Sequence, residues 1–232
     1  YNGGKSQAEM LILKYMLDRG IKELDTLIVT HFDNDHCGGA VDLMNELREK
    51  NLYVNSINHP SVAAKEIYET ADVHDVNLIL AENNKTIYNS NGLELKNFIS
   101  PESLEIGDNE ASILTLLSYK DFSMLFTGDS GIETFNRLKQ YLPKDITVLK
   151  VGHHGALGVV NKEMINYLNP KISLISVGEN KFGHPSVYTL NVLKNTKVFR
   201  TDINNSIKLV VNKNGLSVYA FNCRNKKYKK VY

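Results

Sequence analysis

Apolar residues recur at helical spacing near the start of the chain, at Met10, Leu13 and Leu17. Ser6-Gln7-Ala8-Glu9 stands before them as a capping box and Gly20 after them as a stop, so the pattern predicts an amphipathic helix. Asp25 then introduces Thr26-Leu27-Ile28-Val29-Thr30, a run short and β-branched enough to be a buried strand. A second helical stripe, Val41, Met44 and Leu47, follows Gly38-Gly39. Further on, helical patterns around 63–70, 132–141, 161–168 and 188–195 alternate with strand patterns at 77–80, 147–151, 172–177 and 197–200. Two hairpins are predicted, 112–119 with 122–127 around Lys120-Asp121, and 207–212 with 216–221 around Lys213-Asn214-Gly215. Hairpins mixed with crossover strands predict an α/β architecture. With no low-complexity linker or internal repeat, one domain over 1–232 is expected.

Composition narrows the field. The 232 residues are 42% hydrophobic and 23% charged, ordinary values for a globular chain with a sizeable core. A formal net charge of +1 excludes a protein whose overall field collects nucleic acid, although a local basic face is compatible with it. Cys37 and Cys223 stand far apart and form neither a disulfide framework nor a Cys-x-x-Cys knuckle. The longest apolar runs are strand-length, no basic-apolar signal segment opens the chain, and the first residue is Tyr1, so a processed, excised or truncated chain is expected.

The candidate chemistry sits where strands end. His31, Asp33, Asp35 and His36 fall within six residues, after a strand and before Gly38-Gly39, and such convergence of potential ligands suits a cation site. The plainer reading, a polar loop with incidental histidines, has to leave carboxylates unpaired in a small volume, which is costly. Downstream, Thr127-Gly128-Asp129 places a carboxylate at a strand end; Gly152-His153-His154-Gly155 and Gly183-His184-Pro185 place histidines likewise, where open α/β sheets gather ligands. Five of the seven histidines occupy such positions, leaving His59 and His74 to be read as surface residues. Cys37 is read as a packing residue. The run Arg224, Lys226, Lys227, Tyr228, Lys229, Lys230, Tyr232 mixes cations with aromatics, which suits tracking a phosphate backbone, but a solvated strand end is the favoured reading.

The order His31-x-Asp33-x-Asp35-His36-x-Gly38-Gly39, then Thr127-Gly128-Asp129, then Leu149-Lys150-Val151-Gly152-His153-His154-Gly155, then Ser176-Val177-Gly178 with Gly183-His184-Pro185 resembles the metallo-β-lactamase superfamily. Within it, the chain looks most like the hydrolase domain of late-competence DNA-internalisation proteins of the ComEC type. The likeness runs from about Gly3 to Asp202, and Thr201-Asp202 followed by Ser206-Ile207 is similar to that domain's closing hairpin. The resemblance implies an α/β fold, the four-layer αββα sandwich, with a dinuclear metal site on the rim between two sheets. Such domains open with a strand pair running into an Asp-containing turn; Gly3-Gly4 is read as the remnant of that turn, so those first strands are expected to be missing or to come from elsewhere.

By motif, the resemblance implies two divalent metal ions, Zn or Mn. It assigns His31 and Asp33 to one, Asp35 and His36 to the other, and Asp129 as the bridge. The last ligand stays open between His154 and His184, with His184 favoured and His153 or His154 left to hold phosphate or act as proton donor. Asn109 stands where many relatives place a lone histidine, and Asp33 where they carry a second one. Both replace nitrogen by oxygen, which makes the first site harder and more tolerant of Mn²⁺ or Mg²⁺. The implied activity is metal-dependent phosphodiester hydrolysis, with DNA during competence uptake as the substrate. The rival readings are a phosphodiesterase for a small or cell-wall ester of phosphocholine type, and a non-catalytic, metal-stabilised domain that binds DNA or a partner. If the chain is part of a larger membrane protein, it faces the extracytoplasmic side; otherwise it is cytoplasmic.

Overall fold

A computed structural model describes residues 8–100 and 107–232, so the Ser6-Gln7 half of the expected capping box lies outside the described residues. The first pattern winds as a π-helical stretch, Ala8–Leu13, that continues into α1 (Lys14–Leu17), and Gly20 turns the chain at φ 69°. Three parallel strands follow in the order β1 (Glu23–Val29), β2 (Arg48–Val54), β3 (Asn77–Leu80), joined by the short helices α2 (Asn34–Cys37) and α3 (Ala40–Glu46) and by α4 (Val62–Val73). Ser61 caps α4 by accepting the Ala64 N–H at 3.2 Å.

A seven-stranded mixed sheet comes next. Its antiparallel part is β4 (Lys85–Ser90), β5 (Leu93–Phe98), β6 (Leu114–Tyr119) and β7 (Phe122–Phe126); its parallel part adds β8 (Val148–Lys150), β9 (Ile172–Ile175) and β10 (Lys197–Arg200) beside β7. The crossovers carry α5 (Ile132–Leu138), α6 (Lys162–Leu168) and α7 (Val187–Val192), and α8 (Thr201–Asn204) leads out of β10. The chain closes as an antiparallel sheet of β11 (Ile207–Asn212), β12 (Gly215–Asn222) and β13 (Lys227–Lys230).

The alternation along β6 to β8 explains the layering. Leu114, Leu125 and Leu149 point to one face and pack with Phe135, Leu138, Met164 and Leu168 of α5 and α6. Leu117, Met124 and Val148 point to the other and pack with Leu209, Val211 and Val218 of β11 and β12. Strands covered on both faces read as continuous apolar runs, which is how Ile113 to Leu117 and Val148-Leu149 appear in the sequence. On the far side, β1 to β3 pack against α3 and α4 through Val29, Leu52, Val54, Met44 and Ile67, while Ile28 of β1 reaches Ile99 and Ile113. The order helix, sheet, sheet, helix is the expected four-layer sandwich.

Several boundaries and elements differ from expectation. The metal motif is itself helical at Asn34–Cys37, and β2, the β4–β5 hairpin and β13 add to the expected strands. Among the described residues, no helix is long and apolar enough to cross a membrane.

Candidate metal centre

The strand-end residues converge at the rim between the sheets. Asp35 and His36 ride on α2, Asp129 follows β7, and His154 lies in the turn after β8. One ligand atom from each of these four lies within 4.8 Å of all the others. Asp129 is 4% exposed and stands at the centre: its carboxylate oxygens are 3.1 Å from His36 Nε2 and 4.0 Å from both His153 Nε2 and His154 Nε2. Asp35 Oδ2 lies 3.6 Å from His36 Nε2 and 3.0 Å from His154 Nε2.

His31 and Asp33 adjoin this group as a pair, with His31 Nε2 3.7 Å from Asp33 Oδ2 and the His31 ring centroid 4.3 Å from that of His36. His31 is fully buried, and its Nδ1 lies 3.0 Å from Thr30 Oγ1 and 3.2 Å from Ser112 Oγ. The Asp129 N–H donates to the same Ser112 Oγ at 3.0 Å. Ser112 thus links two candidate ligands; nothing in the sequence distinguishes it from other strand-edge serines.

The donor set fits a cation. His31 Nε2 and His36 Nε2 are buried and make no hydrogen bond; His36 is close to Asp129 but out of line for one. Leaving such nitrogens unpaired costs roughly 1–3 kcal/mol each. His154 makes the point from the other side. Its Nδ1 donates to the Ser176 carbonyl at 2.7 Å, which leaves the lone pair of a neutral ring on Nε2, facing the carboxylates of Asp35 and Asp129. Lone pairs facing one another need a proton or a metal ion between them, and a backbone carbonyl holding the far ring nitrogen is the usual way a ligating histidine is oriented.

Protonation states suit the same role. Burial pushes the Asp129 carboxyl upward, but His36, His154 and His153 around it outweigh burial and hold it at about 2. At Asp35, burial also acts upward, and close contact with His154, together with the nearby His36, brings the carboxyl below its usual range. Burial, reinforced by the neighbouring His36, lowers His31 and keeps it neutral. Ionised Asp35 and Asp129 and a neutral His31 are in the forms that bind a divalent metal.

His153 and His154 both take positive φ, 44° and 52°, a costly conformation for residues with side chains. The turn is held by the His153 N–H donating to Asp129 Oδ1 at 3.0 Å and by Gly152, where a Cβ would collide with the Ser130 carbonyl oxygen. His153 Nδ1 lies 3.4 Å from Asn109 Nδ2, and its ring is 5.6 Å from that of His184. His184 therefore stands beyond His153, one ring further from Asp129, and His154 instead of His184 enters the four-residue cluster. The loop bearing Asn109 is anchored by the Glu110 carboxylate, which accepts the Gly131 and Thr134 N–H groups at the start of α5.

Three readings outside the cluster can be compared with the structure. Cys37 is fully buried, its thiol donates to the Phe32 carbonyl, and burial pushes it up to about 11, as befits a packing residue. His74 is exposed and bonds Asn45. His59, expected as a surface residue, is instead half-buried, stacked on Phe32 at 4.8 Å and 3.3 Å from Asp108 Oδ1, because the β2–α4 loop folds over the metal motif.

Comparison with known proteins agrees with this geometry. A sequence model of the metallo-beta-lactamase superfamily matches residues 3–179. ComE operon protein 3 of Bacillus subtilis is 29% identical over 212 residues, covering 88% of this chain and 26% of that protein. Recombination protein 2 of Haemophilus influenzae is 29% identical over 194 residues, 79% of this chain and 22% of its own. Competence protein ComA of Neisseria gonorrhoeae is 24% identical over 229 residues, 94% and 30% respectively. The chain thus spans about a quarter of the length of these curated relatives. Among solved structures, the metallo-beta-lactamase fold protein YhfI of Bacillus subtilis superposes with a TM-score of 0.52 at 10% identity over 85% of this chain and 82% of that one. CmlA, a diiron beta-hydroxylase from Streptomyces venezuelae, gives 0.52 at 12% identity over 78% and 44%. With the αββα layers, the ordered motifs and the family match over most of its length, the chain belongs to the metallo-beta-lactamase superfamily.

Proposed function

We propose that the protein is a metal-dependent phosphodiesterase whose substrate is DNA, and that it works in competence. The observation that carries the reading is the convergence of Asp35, His36, Asp129 and His154, in which His36 Nε2, like Nε2 of the adjoining His31, is buried without a hydrogen bond. The resemblance to late-competence DNA-internalisation domains suggests the substrate class, and the relative named Competence protein ComA supports the role in competence. On this reading Asp35, His36, Asp129 and His154 hold one divalent ion and His31, Asp33 and Asp129 the other. Bound there, such ions supply Lewis acidity for a phosphoryl oxygen and lower the pKa of water.

The chain's own groups do the remaining work. Hydrolysis forms one bond from a water oxygen to phosphorus and breaks one bond from phosphorus to a sugar oxygen, which must leave with a proton. His153 is the group we assign to deliver it: it is partly exposed, stands 4.0 Å from Asp129 Oδ2, and has its other ring nitrogen beside Asn109. An imidazole is suited to protonate an alkoxide near neutral pH. Asp129, ionised over the whole working range, keeps the locality anionic and fixes the His153 backbone.

The test joins metal analysis to activity. The parent protein should bind divalent metal and cleave DNA and bis(p-nitrophenyl) phosphate with Mn²⁺, and EDTA should abolish both activities. Asp129→Ala should lose most bound metal and all detectable turnover, whereas His74→Ala should keep both. Full metal content in Asp129→Ala would refute the ligand assignment. Turnover of the small ester with no cleavage of DNA would move the reading to a small-ester phosphodiesterase, and metal binding with no turnover at all to a binding domain.

A further inference from the structure

Beyond His184 the rim carries an aromatic side chain that no core explains. Phe182 is 72% exposed, yet its ring lies parallel to that of His184, with centroids 5.8 Å apart and planes inclined by 22°. His184 in turn lies 5.6 Å from His153, so the three rings form a path outward from the metal centre. Isolated exposed apolar residues are common and need no account. What sets Phe182 apart is the loop that displays it.

Asn180 locks that loop from within. Its Oδ1 accepts the N–H groups of Phe182 and His184 at 3.1 and 3.0 Å, and its Nδ2 donates to the carbonyls of Gly178 and His184 at 2.9 and 2.8 Å. Gly183, at φ 77° with nothing within 4 Å of a built Cβ, supplies the reversal between the two rings. The Ser186 N–H then donates to the Gly155 carbonyl at 2.9 Å, tying the loop to the turn that bears His153 and His154. A phenyl ring is thus held outward, in water, at a set distance from the candidate catalytic groups, with the exposed cation of Lys181 next to it in the chain.

We propose that Phe182 is a stacking platform for a nucleobase flanking the scissile phosphate. The proposal rests on the phosphodiesterase reading above and deepens it: a flat, solvent-facing ring can stack on the aromatic part of a nucleotide, and the abasic comparison below separates that from a cation–π contact with a choline headgroup. Stacking of this kind tolerates any base, and removing one platform weakens the interaction about 5- to 150-fold.

The experiment compares the parent with Phe182→Ala and Phe182→Tyr on single-stranded oligonucleotides carrying either a natural base or an abasic tetrahydrofuran at each position around the cleaved bond. Binding is read by fluorescence anisotropy and cleavage with Mn²⁺ by kcat/KM. In the parent, one abasic position should weaken both. Phe182→Ala should show the same loss on the natural strand and no further loss on that abasic strand, while Phe182→Tyr stays near the parent. The exposure of the residue means that both variants should keep the parent's circular dichroism spectrum. If the parent cleaves the strands and Phe182→Ala matches it, or if the losses at that position add, Phe182 is not a stacking platform. If the parent neither binds nor cleaves any oligonucleotide, the DNA reading itself falls, and the platform with it.

Discussion

Asp33 is the residue that most separates this site from an all-imidazole one. Its carboxylate is half-exposed and 3.7 Å from the buried His31 Nε2, so a histidine placed there offers nitrogen to the same volume. Oxygen ligation favours harder ions, and Mn²⁺ should support faster turnover than Zn²⁺ in the parent. Asp33→His should raise the zinc-to-manganese activity ratio severalfold, measured on bis(p-nitrophenyl) phosphate after metal exchange; an unchanged ratio would remove Asp33 from the first coordination sphere. Glu49 poses a different question at the same scale. It is 5% exposed on β2, neither carboxylate oxygen has a hydrogen-bond partner, and burial pushes its carboxyl up to about 7. A folded-state value above the unfolded one means that the native protein takes up the proton first. Stability therefore declines as pH rises from about 4.5 to about 7, and the penalty is fully present above that. Glu49→Gln should remove it, raising the unfolding free energy at pH 8 by up to about 3 kcal/mol and by almost nothing at pH 4. Urea titrations at the two pH values measure the difference.

The elements show which physical signals a sequence carries openly. β3 at Asn77–Leu80 and β10 at Lys197–Arg200 coincide with the apolar runs that predict them, because each is short and flanked by polar residues. β2 is hidden by its polar opening, Arg48-Glu49-Lys50-Asn51, of which only Glu49 is buried. The hairpin of β4 and β5 could have been found from Asn91-Gly92, a turn pair between alternating stretches. Candidate ligands are legible because carboxylates and imidazoles gathered at strand ends are unusual. Their supports are not, because Thr30, Ser112 and the Ser176 carbonyl are generic groups made specific only by tertiary placement. Which of His154 and His184 lies in the four-residue cluster also needed the fold, since it depends on how the turn after β8 directs two adjacent rings. That turn is open to test. A Cβ on Gly152 would meet the Ser130 carbonyl oxygen and approach Thr127 Oγ1 at 3.1 Å. Gly152→Ala should cost about 1–3 kcal/mol in stability and, by shifting His153 and His154, lower activity further than that loss explains. Gly178→Ala, with no atom within 4 Å of its Cβ, should leave melting temperature and turnover unchanged.

At the scale of the whole molecule, a net charge of +1 gives no general attraction for a polyanion, so any attraction for DNA has to be local. The densest cationic stretch is the C-terminal run, and the structure makes it the edge strand β13, with Lys227, Lys229 and Lys230 exposed on it and Lys226 exposed in the turn before it. Tyr228 is held inward between them, edge-on to Phe221 at 5.3 Å and with Lys208 Nζ 5.9 Å from its ring centroid. Two accounts of these lysines compete. Charge on an edge strand discourages pairing with another chain, which is reason enough for lysine there. The same charges can also neutralise phosphates away from the bond being cut, and then binding must weaken steeply with salt, by about 0.7 in log–log slope for each phosphate paired on a single strand. On the DNA reading, replacing Lys226, Lys227, Lys229 and Lys230 with glutamine should weaken DNA cleavage at moderate salt and reduce that slope by up to about 3. Hydrolysis of bis(p-nitrophenyl) phosphate, which needs only the groups around Asp129, should be unaffected. A salt titration of kcat/KM on both substrates decides between the accounts: parallel DNA curves for parent and variant would leave the lysines with edge protection alone, while a flattened curve confined to DNA would extend the substrate's footprint from the metal centre to the far sheet.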